Sequence, residues 1–325
     1  MNAFTLTCSI AFLLTGCFDL DGFVHNPRHC SAVTAETCDA ESDLWDKVCV
    51  PCEQSYDFGA SYPWMDGTLT DGQIVRAIPE DAVTPISIPT TDGLGTLDAY
   101  FIVSHGENTT VKNTTVIYNH GNYASIEHYI PRLQFLYDAG YNIFVWDYRG
   151  YGKSLPDSAP SPTEFMADAQ QVREHVEDLV PDAEKLIVYA FSLGGIPAVE
   201  MAVHDEPCAL FLEAPFTSMG LIAKGNSTLS FADTFFSQGH FNNPAKLDGY
   251  PGAVLLMIGT EDIKFTLEDQ REVFDGVKGP KEFWTLEGVS HGIANRGIPE
   301  AGLTAYQEKM ASFLETHASS CLSSP

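Results

Sequence analysis

"YAFSLGG", residues 189–195, decides the fold of this 325-residue chain. Ser192 stands between a strand-like run, "KLIVYAF", and a helix-like run, "LGGIPAVEMAV". A strand, a sharp turn carrying one serine, and a helix together make the setting of a nucleophile elbow. Strand and helix nearly touch there, so only small residues fit two positions before and two after the serine. Ala190 and Gly194 occupy those positions, and Gly195 adds clearance. The motif is A-x-S-x-G where the common form is G-x-S-x-G. The plainer reading of Ser192 is a helix N-cap, so its chemical reading depends on partners later in the chain.

Such a serine needs an acid and then a histidine, in that order, nearer the C-terminus. "GAVLLMIGTED", 252–262, is a buried-strand run that ends in Glu261 and Asp262, and "KEFWTLEGVSHG", 281–292, ends in a loop with His291. Both candidates fall just past the C-terminal end of a strand, where the functional groups of open α/β sheets collect. Asp262 is expected to orient His291, and His291 to take the proton of Ser192. Asp262 is preferred to Glu261 because its shorter side chain suits a fixed partner. An oxyanion needs donors as well. The backbone N–H of Leu193 is one candidate, and that of Asn122, in the loop of "TTVIYNHGNYAS", is the other. His120 has no evident acidic partner in the sequence and is expected to brace this loop.

The motifs "YNHGN", "FVWDYRGYGKS", "YAFSLGG", "EAPFTS", "GTED" and "VSHG" resemble, as a set, those of the α/β-hydrolase superfamily. The likeness runs over residues 82–318 and is nearest to α/β-hydrolase-domain lipases and acyl-protein thioesterases. It implies a mostly parallel eight-stranded sheet covered by helices on both faces. It also implies an antiparallel edge from the first two strands and a short cap after the sixth strand, at 219–247. Asp147, Arg149 and Gly150 then belong to the turn after the fourth strand and are structural.

Strand-like runs near 84–90, 97–104, 114–119, 142–147, 185–190, 209–214, 252–258 and 281–286 agree with this. Helical runs lie near 125–139, 163–179, 193–205, 266–277 and 299–317. Val172, Val176 and Val180 form one apolar stripe. Strands alternating with helices imply a parallel sheet covered on both faces. The proposed cap carries Leu221, Ile222, Phe231, Phe235, Phe236 and Phe241, which suit either an acyl chain or packing onto the domain.

Composition fits an α/β domain with a small appendage: 44% of residues are hydrophobic, with 20 Phe and 13 Tyr for a core. The formal net charge of −27 excludes nucleic acid as a partner, since phosphates would be repelled. At the N-terminus, "FTLTCSIAFLLTGC" is an apolar run too short to span a bilayer. It ends in Leu14-Thr15-Gly16-Cys17, which is similar to the lipobox of bacterial lipoproteins. The likeness implies a signal peptide at 1–16, lipid acylation of Cys17, and a membrane anchor in a bacterial cell envelope. No Lys or Arg precedes the run, so an ordinary signal peptide and a secreted protein are the alternative.

Export changes how the cysteines read. Cys30, Cys38, Cys49 and Cys52 cluster in a segment with little apolar periodicity, and Cys208 and Cys321 lie far along the chain. In an oxidising compartment the first four make a disulfide-stapled module at 17–53, followed by a linker at 54–81. A zinc site on the same four is the rival reading, and their pairing is left open. Cys208 and Cys321 are a further candidate pair, and a tail at 319–325 closes the chain. The module holds no triad candidate, so it is expected to act as a spacer, with full activity residing from about residue 70 onward.

The resulting expectation is an exported serine hydrolase that cleaves a carboxylic ester or thioester of a small or lipid-like molecule through an acyl-enzyme. No metal or organic cofactor enters this chemistry, and the sequence is silent on oligomeric state. A prolyl-oligopeptidase-like peptidase and a surface-anchored, non-catalytic binding protein are the alternatives.

Overall fold

Short β-branched and aromatic runs alternate along the chain with longer amphipathic ones, and each run becomes one element. In the computed structural model, the described residues are 24–33, 49–59, 77–105, 108–123, 125–180, 182–219, 241–291 and 303–323. The strands are β1 (Val83–Pro89), β2 (Thr96–Ile102), β3 (Thr115–Asn119), β4 (Asn142–Trp146), β5 (Leu186–Phe191), β6 (Ala209–Glu213), β7 (Val254–Gly259) and β8 (Lys281–Leu286). The helices among the described residues are α1 (Ile130–Asp138), α2 (Pro162–Leu179), α3 (Gly195–His204), α4 (Asn243–Leu247), α5 (Leu267–Gly276) and α6 (Leu303–His317). A 3-10 turn over Ile126–Tyr129 precedes α1 where a single helix was expected, and Pro131 sits in the first turn of α1.

The strands form one sheet in the order β1-β2-β4-β3-β5-β6-β7-β8. β1 with β2 and β2 with β4 pair antiparallel, and all other pairs are parallel. β5 therefore lies inside the sheet between β3 and β6, and every residue of these three strands is buried. Alternate residues feed opposite layers. Val116, Tyr118, Ile187 and Tyr189 pack with Leu133 and Leu136 of α1 and Phe313 and Leu314 of α6. Ile117, Val188 and Ala190 pack with Val172 and Val176 of α2 and Val199 of α3. Each such buried aliphatic side chain contributes roughly 1.5–3 kcal/mol. The start of α2 is fixed by a capping box between Ser161 and Glu164.

The turn after β4 is held by charge. The Arg149 guanidinium grips both carboxylate oxygens of Asp168 on α2 at 2.7 and 2.8 Å and reaches Asp92 at 2.5 Å. Both Arg149 and Asp168 are buried, so the fork-to-fork geometry is what offsets their desolvation. The expected structural role of "DYRGYG" is met here.

The boundaries drawn from the sequence shift. Tyr56 and Phe58, assigned to a linker, are buried in the same core cluster as Tyr100 and Tyr118. Phe241, Asn243 and Leu247, assigned to the cap, are fully buried against the domain. Cys321, assigned to a tail, is buried and disulfide-bonded to Cys208. The Cys208–Cys321 pair was a candidate from the sequence, whereas burial of isolated apolar residues such as Tyr56 and Phe58 in otherwise polar stretches carries no periodicity, which is why the sequence did not place those. The signal segment with Cys17, Cys38, and the cap residues Leu221, Ile222, Phe231, Phe235 and Phe236 lie outside the described residues.

Candidate active site

β5 ends at Phe191, and the backbone turns at Ser192 with φ +53° into a 3-10 turn over Ser192–Gly194 that runs into α3. A left-handed conformation is costly for a residue with a Cβ, so surrounding contacts must hold it. The Phe216 N–H does so, donating to the Ser192 carbonyl at 2.7 Å. Gly194 supplies the clearance, because a Cβ there would lie 2.0 Å from the Asn119 carbonyl oxygen of β3.

Asp262 and His291 come from the loops after β7 and β8, and their approach also depends on a glycine. A Cβ on Gly259 would lie 2.0 Å from the Val289 carbonyl oxygen. The two loops are then laced by the Glu261 N–H to the Val289 carbonyl at 3.0 Å and the Gly288 N–H to Thr260 Oγ1 at 2.9 Å. His291 Nδ1 meets Asp262 Oδ2 at 2.7 Å, and His291 Nε2 meets Ser192 Oγ at 3.0 Å. The second oxygen of Asp262 accepts the N–H groups of Lys264 and Phe265 at 2.7 and 3.0 Å. The Asp262 side chain is inaccessible to solvent, whereas Glu261 is exposed. The imidazole sits between the rings of Phe191 and Phe265, with centroids 5.4 and 5.3 Å away. Phe191 in turn lies under the Arg132 guanidinium, 4.1 Å from it, and Arg132 is paired with buried Glu213 at 2.5 Å.

The loop after β3 forms the other wall. The Leu193 and Asn122 N–H groups donate to no acceptor among the described residues, which leaves both available to a ligand. His120 departs from expectation: it does have an acidic partner. Its Nε2 is 3.3 Å from Asp147 Oδ1, both groups being buried. The β3–β4 pairing brings these sequence-distant residues together. The imidazole stacks on Tyr148 and Tyr129, with centroids at 4.1 and 5.1 Å, and its Nδ1 is 2.7 Å from the Gly121 carbonyl. These contacts make it a brace of the loop.

Residues 24–30 of the N-terminal segment, expected to be a spacer, lie against this wall. The Asn122 amide donates to the Val24 carbonyl at 2.7 Å, and its oxygen accepts the Asn26 N–H at 2.9 Å and the Tyr151 hydroxyl at 2.5 Å. His29 and Gly152 form a parallel bridge. Cys30 is bonded to Cys52, and Cys49 is likewise disulfide-bonded. These sulfurs are therefore committed to disulfides, the preferred reading, where the rival zinc site needed thiolates. Beyond Cys52, the Tyr56 hydroxyl donates to Asp147 Oδ2 at 2.9 Å. Burial, reinforced by the charge of Asp147, pushes the Asp98 carboxyl up to about 7.

The family model described as serine aminopeptidase, S33 (Hydrolase_4) matches residues 111–250, from just before β3 to just before β7. Relatives and solved structures with the same domain extend the match beyond that window. The chain has the α/β-hydrolase fold and is similar in sequence to α/β-hydrolase domain-containing proteins. Protein bem46 of Schizosaccharomyces pombe is 33% identical over 38% of this chain and 42% of its own length. The α/β-hydrolase domain-containing protein aho-3 of Caenorhabditis elegans is 26% identical over 63% and 58%. α/β-Hydrolase domain-containing protein 17B of Xenopus laevis is 30% identical over 46% and 50%. The chain thus spans about half the length of the curated relatives it matches. Among solved structures, the Pyrococcus furiosus esterase Pf2001 superposes with a TM-score of 0.57 at 21% identity, covering 73% of this chain and 91% of that one. Est1E from Butyrivibrio proteoclasticus, with ferulic acid bound, gives 0.57 at 19% identity, covering 71% and 100%. Both share the fold with this chain.

Proposed function

We propose that this α/β-hydrolase is a serine hydrolase of carboxylic esters, thioesters included. The observation that carries the reading is the relay from Asp262 through His291 to Ser192, at 2.7 and 3.0 Å. In this scheme Ser192 Oγ attacks the acyl carbon while His291 Nε2 takes its proton. The carbonyl oxygen becomes an oxyanion that the Leu193 and Asn122 N–H groups hold. The bond to the leaving alcohol or thiol breaks, and His291 returns the proton to it. Water then attacks the acyl-enzyme with His291 as base, which releases the acid and restores Ser192. Asp262 keeps the imidazole in the tautomer that presents a bare Nε2 to the serine.

The match to a model named for a serine aminopeptidase favours one second reading, an amide substrate, on the same residues. A fluorophosphonate probe is expected to label the wild-type chain and not Ser192→Ala. A panel of ester, thioester and aminoacyl-amide substrates then ranks the leaving groups, with oxygen esters expected first. Absence of labelling in the wild type, at a normal melting temperature, overturns the hydrolase reading in favour of a binding protein on this fold. Export and lipid attachment at Cys17 are proposed on the apolar run that ends there, and the mass of the mature N-terminus decides between the lipid anchor and simple secretion.

A further inference from the structure

Two stretches of the N-terminal region grip the loop that carries Asn122 from both ends. At its start, the Asn122 side chain is bonded at both its atoms to backbone groups of the first stretch, the Val24 carbonyl and the Asn26 N–H. The Tyr151 hydroxyl completes the ring, donating to Asn122 Oδ1 and accepting from the Asn26 N–H at 3.0 Å. At the loop's far end, Glu127 Oε2 accepts the N–H groups of Cys49 and Val50 from the second stretch, at 3.0 and 3.3 Å. The Cys30–Cys52 disulfide joins the two stretches. The first stretch is also locked onto the turn after β4, by the Cys30 N–H to the Gly152 carbonyl at 2.7 Å and the Gly152 N–H to the Arg28 carbonyl at 2.8 Å.

We propose that residues 24–30, tied by Cys30–Cys52, form a strap that positions the Asn122 N–H for the oxyanion, with Asn122's own side chain as the handle. The proposal rests on the serine-hydrolase reading above. The physical basis is the steep dependence of oxyanion stabilisation on donor placement. Donors work when they stand about 2.7–3.1 Å from the oxyanion position, and a misplacement of about 1 Å costs on the order of a hundredfold in rate. Gly121 is adjacent to Asn122, and a short loop with a glycine hinge needs external contacts to fix one peptide plane. Asn122 supplies them through a side chain whose donor and acceptor are both used. Asn122 is a positioning residue through its side chain and a catalytic one only through its backbone.

The test uses the full chain with its disulfides formed. Asn122→Ala keeps the backbone N–H and removes the handle. Cys30→Ser/Cys52→Ser keeps the handle and removes the tie. The readouts are kcat and KM on a p-nitrophenyl ester, affinity for a trifluoromethyl ketone that mimics the tetrahedral adduct, and melting temperature. Asn122→Ala is expected to lower kcat and ketone affinity in parallel by about tenfold to a hundredfold, with KM nearly unchanged. The cysteine pair variant is expected to move both in the same direction by a smaller factor. A role limited to fold stability would lower the melting temperature and leave the kcat of the folded protein intact. Wild-type kcat and ketone affinity in Asn122→Ala overturn the strap alone, whatever the cysteine variant does. A wild-type chain that neither labels with fluorophosphonate nor turns over any ester overturns the hydrolase reading and the strap with it.

Discussion

Ser192 holds a backbone conformation that costs about 1–3 kcal/mol for a residue of its type, and its neighbours are chosen to bear that cost. Gly194 lets β3 pass beneath it, and Phe216 bonds its carbonyl. The candidate acid and its neighbour differ at the same scale. Asp262 accepts two loop N–H groups on one oxygen and His291 on the other, so its carboxylate is fixed in plane. Glu261 has an exposed side chain and contributes its backbone N–H to the loop. Asp262→Asn is therefore expected to lower kcat on the order of a thousandfold or more, since an amide cannot hold the imidazole in the useful tautomer. Glu261→Gln is expected to leave turnover near the wild-type value. Steady-state kinetics on the two purified variants checks this, and equal losses in both would dissolve the assignment of the acid. Ser192, Asp262 and His291 were legible because each follows a strand whose apolar run is unmistakable. Asn122 was legible as a position after "HG", but its handle was not.

At the scale of elements, the strap escaped the sequence for a physical reason. Its contacts use the backbone of Val24 and Asn26 against a residue 96 to 98 positions away. Backbone contacts leave no periodicity and no residue-type signature, so "HNPRHC" reads as plain loop. One side chain in it still carries a testable consequence. The His25 ring packs edge-on against Phe165 at 4.7 Å and near Phe241 and Tyr151 at 6.0 and 6.2 Å. Neither ring nitrogen has a partner among the described residues. Burial pushes its pKa down to about 4 from 6.5. His25 is thus neutral in the fold and takes a proton more readily once released. Between pH 6.5 and 4 the released state binds more protons, so stability is full above 6.5 and falls as pH drops through that window. The loss is about 3 kcal/mol at most, since local release of the strap can relieve it before the domain unfolds. His25→Leu is expected to abolish this acid-side loss. Melting temperatures of the two proteins at pH 7.5 and pH 5 are the check; an unchanged gap between the pH values in His25→Leu would show that other groups drive it.

At the scale of the whole molecule, the disulfides Cys30–Cys52 and Cys208–Cys321 serve different ends of the sheet. Cys208 donates its N–H to the carbonyl of Leu186, the first residue of β5, at 2.9 Å, so its bond to Cys321 lies at the end of the sheet opposite Ser192. That bond spans 113 residues, a stretch that includes β6 to α6 with both Asp262 and His291, whereas Cys30–Cys52 spans 22 residues beside the oxyanion loop. Closing the longer loop restrains the unfolded chain more, by about 5 kcal/mol against about 3 kcal/mol in the chain-entropy account. The C-terminal residues it anchors are packed in their own right, with Thr114 Oγ1 donating to the Cys321 carbonyl and the Ser323 N–H to the Thr110 carbonyl. The fold at this scale was legible as alternating runs and the Cys208–Cys321 tie as a candidate pair, while the docking of the N-terminal residues on the sheet was not, since that depends on single buried side chains and backbone contacts. Cys208→Ala/Cys321→Ala should then lose about 2–5 kcal/mol of stability, seen as a lower denaturation midpoint, while kcat per folded molecule at room temperature stays at the wild-type value. Cys30→Ser/Cys52→Ser should lose less stability, about 3 kcal/mol in the same account, but lower kcat of the folded protein as well. Denaturant titration and kinetics on both double variants separate the two. A fall in kcat for the folded Cys208→Ala/Cys321→Ala protein would mean that the far end of the sheet also sets the geometry between Ser192 and His291, and that the division between stabilising and positioning disulfides does not hold.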